Sequence, residues 1–279
     1  MVRRTGRRFF SSLLLVLISF SCFPVSGAGD ARVGWTLDDS YQGPHTDSYQ
    51  KLRFQIPVLM RQTTIDLSVR LGLDFQEGWA FPLIVRFVDV APHGVENVLA
   101  YVQLLRDDQG HPAQSLNINL DAYDRQEFNF EKVFAHELVH AMMNDAMGPE
   151  ASSALPVWLH EGLAVYGADQ GDTLVRATVL RYDGMKPEQF IRGLESPHDA
   201  LHYLEDYLAL KYMHDEHSVN ALHNFVGELV RRKGDVPGAL EYTNSEDWDS
   251  FQKNARAFAI AEIERIRRNE RSSAPDQPY

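Results

Sequence analysis

His136, Glu137 and His140 sit together in the run FNFEKVFAHELVHAMMNDAMG at 128–148. The run otherwise reads as a core helix, with Phe134, Leu138, Val139 and Met142 among its apolar positions. An α-helix turns about 100° per residue, so residues four apart share a face, separated by roughly 6 Å along the axis. Two imidazoles so placed can each aim a nitrogen at one zinc ion, at roughly 2.0–2.1 Å. Glu137, one step round from His136, reaches the rim of the same site rather than the ion. A base that takes a proton from metal-activated water belongs there. The spacing H-E-x-x-H therefore encodes metal-assisted hydrolysis.

A catalytic zinc site uses three protein ligands and leaves a fourth position to water, so a third ligand is expected. In one arrangement a glycine stands three residues after the second histidine and a further histidine three beyond that; here those positions hold Met143 and Ala146. The other common arrangement takes a glutamate from the next helix. WLHEGLAVY (158–166) offers Glu161, and the small-residue loop MGPEASSA (147–154) can join two such helices. Gly162 and Ala164 are small enough to let this helix approach the first closely, while Trp158 and Leu159 are large enough to pack it there. His160 is the rival ligand. Adjacent helix residues diverge by about 100°, so both do not face the same ion.

HELVH followed by WLHEGLAVY resembles the gluzincin side of the zinc peptidases, in particular the bacterial peptidase MA-like family, over about residues 80–260. The resemblance implies His136, His140 and Glu161 as ligands of one zinc ion per chain and Glu137 as the general base. It also implies a zincin-like fold in which the strand SLNINL (115–120) is the edge strand lining the cleft. A later helix in this family often carries a tyrosine in an A-Y-x-x-S context. The nearest stretch here, LHYLEDYLALKYM, places Tyr203 at that position, with His202 in place of the alanine and Asp206 in place of the serine; Tyr207 is a second candidate.

Two departures narrow what the resemblance carries. Thermolysin-like enzymes support a zinc histidine with an aspartate four residues after the third ligand. That position is Val165 here, so the support must come from another residue. Gluzincin aminopeptidases hold a substrate's amino end with a G-x-M-E-N motif, which this sequence lacks. Endopeptidase cleavage of an extended peptide laid along the edge strand is therefore the expected activity.

The elements that must position these residues form an α+β chain, a small mixed sheet followed by a mostly helical half. Helical spacing of Leu52, Ile56, Leu59, Ile65 and Val69 predicts a helix from about 48 to 71, with Pro57 as a kink or start. Strands are expected at FPLIVRFVDV, VLAYVQLL and SLNINL; the last alternates Leu116, Ile118 and Leu120 with polar residues, as a half-solvated or edge strand would. After 127 the pattern is helical: the two motif helices, then segments near 187–194, 199–216, 218–233 and 246–268. In the last of these Trp248, Phe251, Phe258 and Ile266 face inward. No internal repeat is present. The sheet part spans about 30–125 and the helical part about 126–269 of one domain, 29–269, with 270–279 a polar, disordered tail.

The first 28 of the 279 residues read as an export signal: Arg3, Arg4, Arg7 and Arg8, an apolar run of about fifteen residues, then small residues ending at Ala28. The run is short for a membrane span, and the RRFFSSLLL stretch resembles a twin-arginine signal. Cleavage after Ala28 removes the sole cysteine, Cys22. It also removes four arginines and no acid, taking the net charge from −12 to −16. So acidic a chain has no electrostatic route to nucleic acid. A periplasmic or secreted peptidase acting on peptides or proteins is the expectation. Two other classes use the same residues: a catalytically silent scaffold that binds a partner in the cleft, and a zinc hydrolase of cell-wall or other non-protein amides. The remaining histidines (His45, His93, His111, His198, His202, His214, His217, His223) lack metal spacing, and His214 and His217 read as surface residues.

Overall fold

A computed structural model describes residues 34–73, 78–90, 98–107, 109–125, 129–196 and 201–273. The expected leader at 1–28 lies outside them. The chain runs through β1 (Thr36–Leu37), α1 (Thr46–Leu71), β2 (Leu83–Val88), β3 (Ala100–Arg106) and β4 (Pro112–Asn119). Helices follow: α2 (Leu120–Arg125), α3 (Phe130–Met147), α4 (Pro149–Ser153), α5 (Val157–Gly167) and α6 (Gly171–Arg181). The last are α7 (His202–Tyr212), α8 (Val219–Arg231), α9 (Val236–Asn244) and α10 (Trp248–Ser273). The result is a small mixed sheet and a mostly helical remainder, and no helix of the described residues is long and apolar enough to cross a membrane.

The sheet order is β1-β2-β4-β3, with β3 antiparallel to β4 and the other neighbours parallel. This corrects the expectation for SLNINL. Residues 115–119 belong to β4, an interior strand, and β3 is the edge. The polar face of β4 is not solvated: Ser115, Asn117 and Asn119 are buried. Arg86 on β2 and Tyr101 on β3 flank Asn117 in register. The polar groups also satisfy one another locally. Asn117 Nδ2 donates to Ser115 Oγ at 2.9 Å, and Asn119 Nδ2 donates to the Val98 carbonyl at 3.0 Å. Alternation alone cannot distinguish a wet polar face from one satisfied in this way.

The opposite face of β4 carries α3. Leu116 and Ile118 enter the core with Phe134, Leu138 and Val139, and Gln114 ties strand to helix. Its Nε2 donates to the Ala141 carbonyl (3.3 Å) and its Oε1 accepts from Asn144 Nδ2 (3.3 Å). One turn on, the Asp145 carboxylate accepts from the amides of Ala80 and Phe81, just before β2. Asn129 caps the start of α3, accepting from the Lys132 amide. The motif helix is thus fixed at both ends and along one face.

Three further expectations change. Helix α1 buries Leu52, Ile56, Met60, Leu67 and Leu71, whereas Ile65 and Val69 join Phe54 and Val58 on an exposed stripe; the helix has two apolar faces, and Pro57 lies inside it. The segment 187–194 is not a helix. Only Pro187–Gln189 makes a 3-10 turn, Gly193 adopts φ +99°, and the amides of Arg192 and Gly193 donate to the Glu205 carboxylate at 2.8 and 2.9 Å instead of to a helical ladder. Helix α10 runs to Ser273, into the stretch expected to be a disordered tail.

Gly162 of α5 serves a neighbour other than the one anticipated. A Cβ at Gly162 would lie 2.9 Å from the Asp206 carbonyl oxygen, so it is α7 that approaches there. Helix α3 meets α5 at Gly167, where a Cβ would lie 2.8 Å from Val139 Cγ2. Gly162→Val is therefore expected to overpack the α5–α7 contact and lower stability by about 1–3 kcal/mol, read as a drop in the urea midpoint at unchanged slope. An unchanged midpoint would show that α7 yields freely.

Candidate active site

His136, Glu137 and His140 project from α3, and Glu161 from α5 beside it; all four are buried. Gly167 allows the two helices to close, and the apolar positions around the motif, Leu138, Val139, Leu159 and Leu163, bury the seam. The ligand atoms of His136, His140 and Glu161 lie within 4.8 Å of one another, so one ion could touch all three. Two carboxylate contacts define the arrangement: His136 Nε2 to Glu161 Oε2 at 3.3 Å and His140 Nε2 to Glu161 Oε1 at 3.8 Å. The two rings are 5.0 Å apart and nearly perpendicular.

Several of these buried atoms have no hydrogen-bond partner among the described residues: His136 Nε2, both nitrogens of His140, Glu161 Oε2 and Glu137 Oε1. An unsatisfied buried polar atom costs about 1–3 kcal/mol. A divalent cation between the two Nε2 atoms and the Glu161 carboxylate would satisfy three of them at once. Two imidazoles and a carboxylate make a donor set of the kind that holds catalytic zinc.

The electrostatics of His140 agree with that use. Burial, reinforced by the neighbouring His160 and His136, holds His140 well below the ordinary histidine range, so its ring is neutral and can offer a lone pair. Burial also pulls His136 down, but the carboxylates of Glu161 and Glu137 outweigh it and the net shift is upward. The 3.3 Å approach of His136 Nε2 to Glu161 lacks the alignment of a hydrogen bond. Burial pushes Glu137 up to about 8, with His136 opposing and Glu161 reinforcing the rise.

Glu137 is held from the sheet. The Val102 amide on edge strand β3 donates to Glu137 Oε2 at 3.2 Å, leaving Oε1 without a hydrogen-bond partner among the described residues. His160 does not converge with the other ligands. Its ring stacks on His140 at 4.2 Å with an interplanar angle of 19°, so the in-plane lone pairs of the two rings run side by side. Tyr203 on α7 is half-buried, and burial with the charges of Glu161, Glu137 and Asp206 pushes its hydroxyl far above the ordinary phenol range. Tyr207 is committed elsewhere, donating to Asp172 Oδ1 at 2.9 Å. His214 and His217 pair with Asp215 and Glu246 near the surface, away from the cluster.

Two contributors carried no signal in the sequence. Gln170, in the turn between α5 and α6, places Oε1 3.1 Å from His136 Nδ1; no spacing rule marks it. The Val102 contact is made by a main-chain group, which no residue type announces.

Fold and site together define an α+β chain whose buried His-His-Glu group is shared between two packed helices, with a carboxylate held at its rim by an edge strand. No protein-family profile matches the sequence, and no curated protein matches it. Among solved structures, the M1 zinc metallopeptidase from Deinococcus radiodurans is similar at 16% identity with a TM-score of 0.44, over 72% of this chain and 43% of that one. The two-domain M1 zinc metallopeptidase bound to L-arginine gives 15% and 0.45 over 72% and 43%. The Deinococcus radiodurans enzyme bound to Tyr-Ser-Ala substrate gives 16% and 0.42 over 80% and 46%. The chain spans less than half the length of these structures.

Proposed function

We propose that this chain is an exported zinc-dependent endopeptidase of the gluzincin type, with His136, His140 and Glu161 as the ligands of one zinc ion and Glu137 as the general base. The observation that carries this reading is the buried convergence of two neutral-capable imidazoles and a carboxylate within 4.8 Å, with Glu137 anchored beside them. Zinc, when bound there, supplies Lewis acidity that polarises a carbonyl and acidifies water.

The chain's own groups do the rest. Glu137 receives the proton on Oε1 while Val102 steadies Oε2, then returns it to the leaving amine. Tyr203 keeps its proton at any working pH and donates it as a hydrogen bond to the developing oxyanion. The substrate lies along β3. The Asn119 amide bonds to the Leu99 carbonyl, so odd-numbered residues of β3 face β4 and even-numbered ones turn their main-chain groups outward. The Val102 carbonyl and the Leu104 amide and carbonyl can therefore pair with an extended peptide.

The test is metal content and cleavage together. The purified chain is expected to hold about one equivalent of zinc and to cut a broad peptide library in a chelator-sensitive way. Zinc without cleavage points to a silent scaffold or to a non-protein amide substrate, which envelope fractions would reveal. A chain that binds no zinc overturns the reading.

A further inference from the structure

We propose that Gln170 is a positioning residue that fixes the tautomer of His136 and so directs Nε2 of that ring to the metal; the inference rests on the zinc reading above. A side-chain amide can be oriented two ways, and here the main chain decides between them. Gln170 Nε2 lies 3.1 Å from the Lys132 carbonyl, which can only accept, so that end must be the NH₂. The other end, Oε1, is then an acceptor, and it lies 3.1 Å from His136 Nδ1. Nδ1 must therefore carry the proton, and the lone pair of the neutral ring falls on Nε2, the atom that faces Glu161 at 3.3 Å. A carbonyl on α3 thus sets an amide, the amide sets a proton, and the proton selects the metal-facing nitrogen one turn further along the same helix.

The corner that presents Gln170 is itself clamped. Gln170 donates its main-chain amide to the Val165 carbonyl at the end of α5 (3.1 Å), and its own carbonyl accepts from Leu174 to open α6 (2.9 Å). Asp169, at φ +55°, turns the chain there. Its carboxylate pairs with Arg70 from α1 at 3.0 Å and with Lys132 from α3 at 3.4 Å, and the Lys132 ammonium also donates to the Asp169 carbonyl. Lys132 therefore holds the turn with its side chain and orients Gln170 with its main chain. The position where an aspartate would support a zinc histidine is Val165, a buried apolar residue, and the neutral amide of Gln170 takes over that contact from five residues further on.

Removing such a support weakens metal binding by about 10–100-fold. The experiment measures the zinc dissociation constant by competition with a chromogenic chelator for the full chain, Gln170→Ala and the volume-matched Gln170→Met. In parallel it follows the exchangeable Nδ1 proton of His136 by NMR in the zinc-loaded proteins. Both variants are expected to bind zinc 10–100-fold more weakly, and the Nδ1 proton, slowly exchanging in the parent, is expected to broaden or vanish. Zinc affinity unchanged in both variants, or an Nδ1 proton equally protected without Gln170, overturns the proposal. Failure of the parent itself to bind zinc overturns the underlying reading, so the two failures are distinct.

Discussion

Glu137→Gln is expected to bind zinc as the parent does and to lose about 10²–10⁴-fold in turnover, the usual contribution of a positioned general base. The two halves have separate physical causes. Glu137 is not among the three residues whose ligand atoms converge, so the ligand set is untouched. The amide oxygen of glutamine can still accept from the Val102 amide, so the side chain keeps its place. What disappears is the second lone-pair-bearing oxygen, Oε1, which receives the proton. The substitution also removes an ionisable group that burial has pushed up to about 8, so a neutral amide in its place is expected not to lower stability. Measured with equal zinc loading on the same peptide, parental turnover would remove Glu137 from the base role, whereas loss of zinc along with activity would mean that this carboxylate belongs among the ligands.

The parts of the site that were legible in the sequence are those that depend on local geometry. His136, Glu137 and His140 are brought together by helical period alone, which sets the two imidazoles with ring centroids 5.0 Å apart. Glu161 needed only a second helix and a short connection, and α4 together with the turn around Pro156 supplies it. What was not legible depends on partners far away in the chain. Gln170 acts through a carbonyl 38 positions earlier, and Val102 through a main-chain amide 35 positions before Glu137. SLNINL reads as an edge strand because alternating polarity looks alike on an exposed strand and on one whose asparagines are satisfied by Ser115 and the Val98 carbonyl. The 187–194 segment has Phe190, Ile191 and Leu194 at helix-like spacing. They are instead buried anchors of an irregular stretch whose amides are taken by Glu205, a residue on a helix that follows.

Glu161→Ala is expected to abolish stoichiometric zinc, while His160→Phe is expected to keep it. Structural zinc sites bind with about 10–16 kcal/mol shared among four ligands, so one ligand accounts for roughly 3–4 kcal/mol, or about 10²–10³-fold in affinity. Glu161 faces both imidazoles, with its two oxygens 3.3 and 3.8 Å from their Nε2 atoms, and alanine leaves nothing in that gap. His160 is next to it in sequence and equally capable of binding zinc, yet its ring lies flat against His140 rather than pointing at the same centre. Phenylalanine preserves that stack and removes both nitrogens, so it tests ligation without disturbing packing. The pair of variants separates the two candidate third ligands by elemental analysis after dialysis against a weak chelator. Zinc retained by Glu161→Ala and lost by His160→Phe would reverse the assignment, and it would require α5 to turn by about 100° from the orientation that Gly162 and Gly167 now fix against α7 and α3.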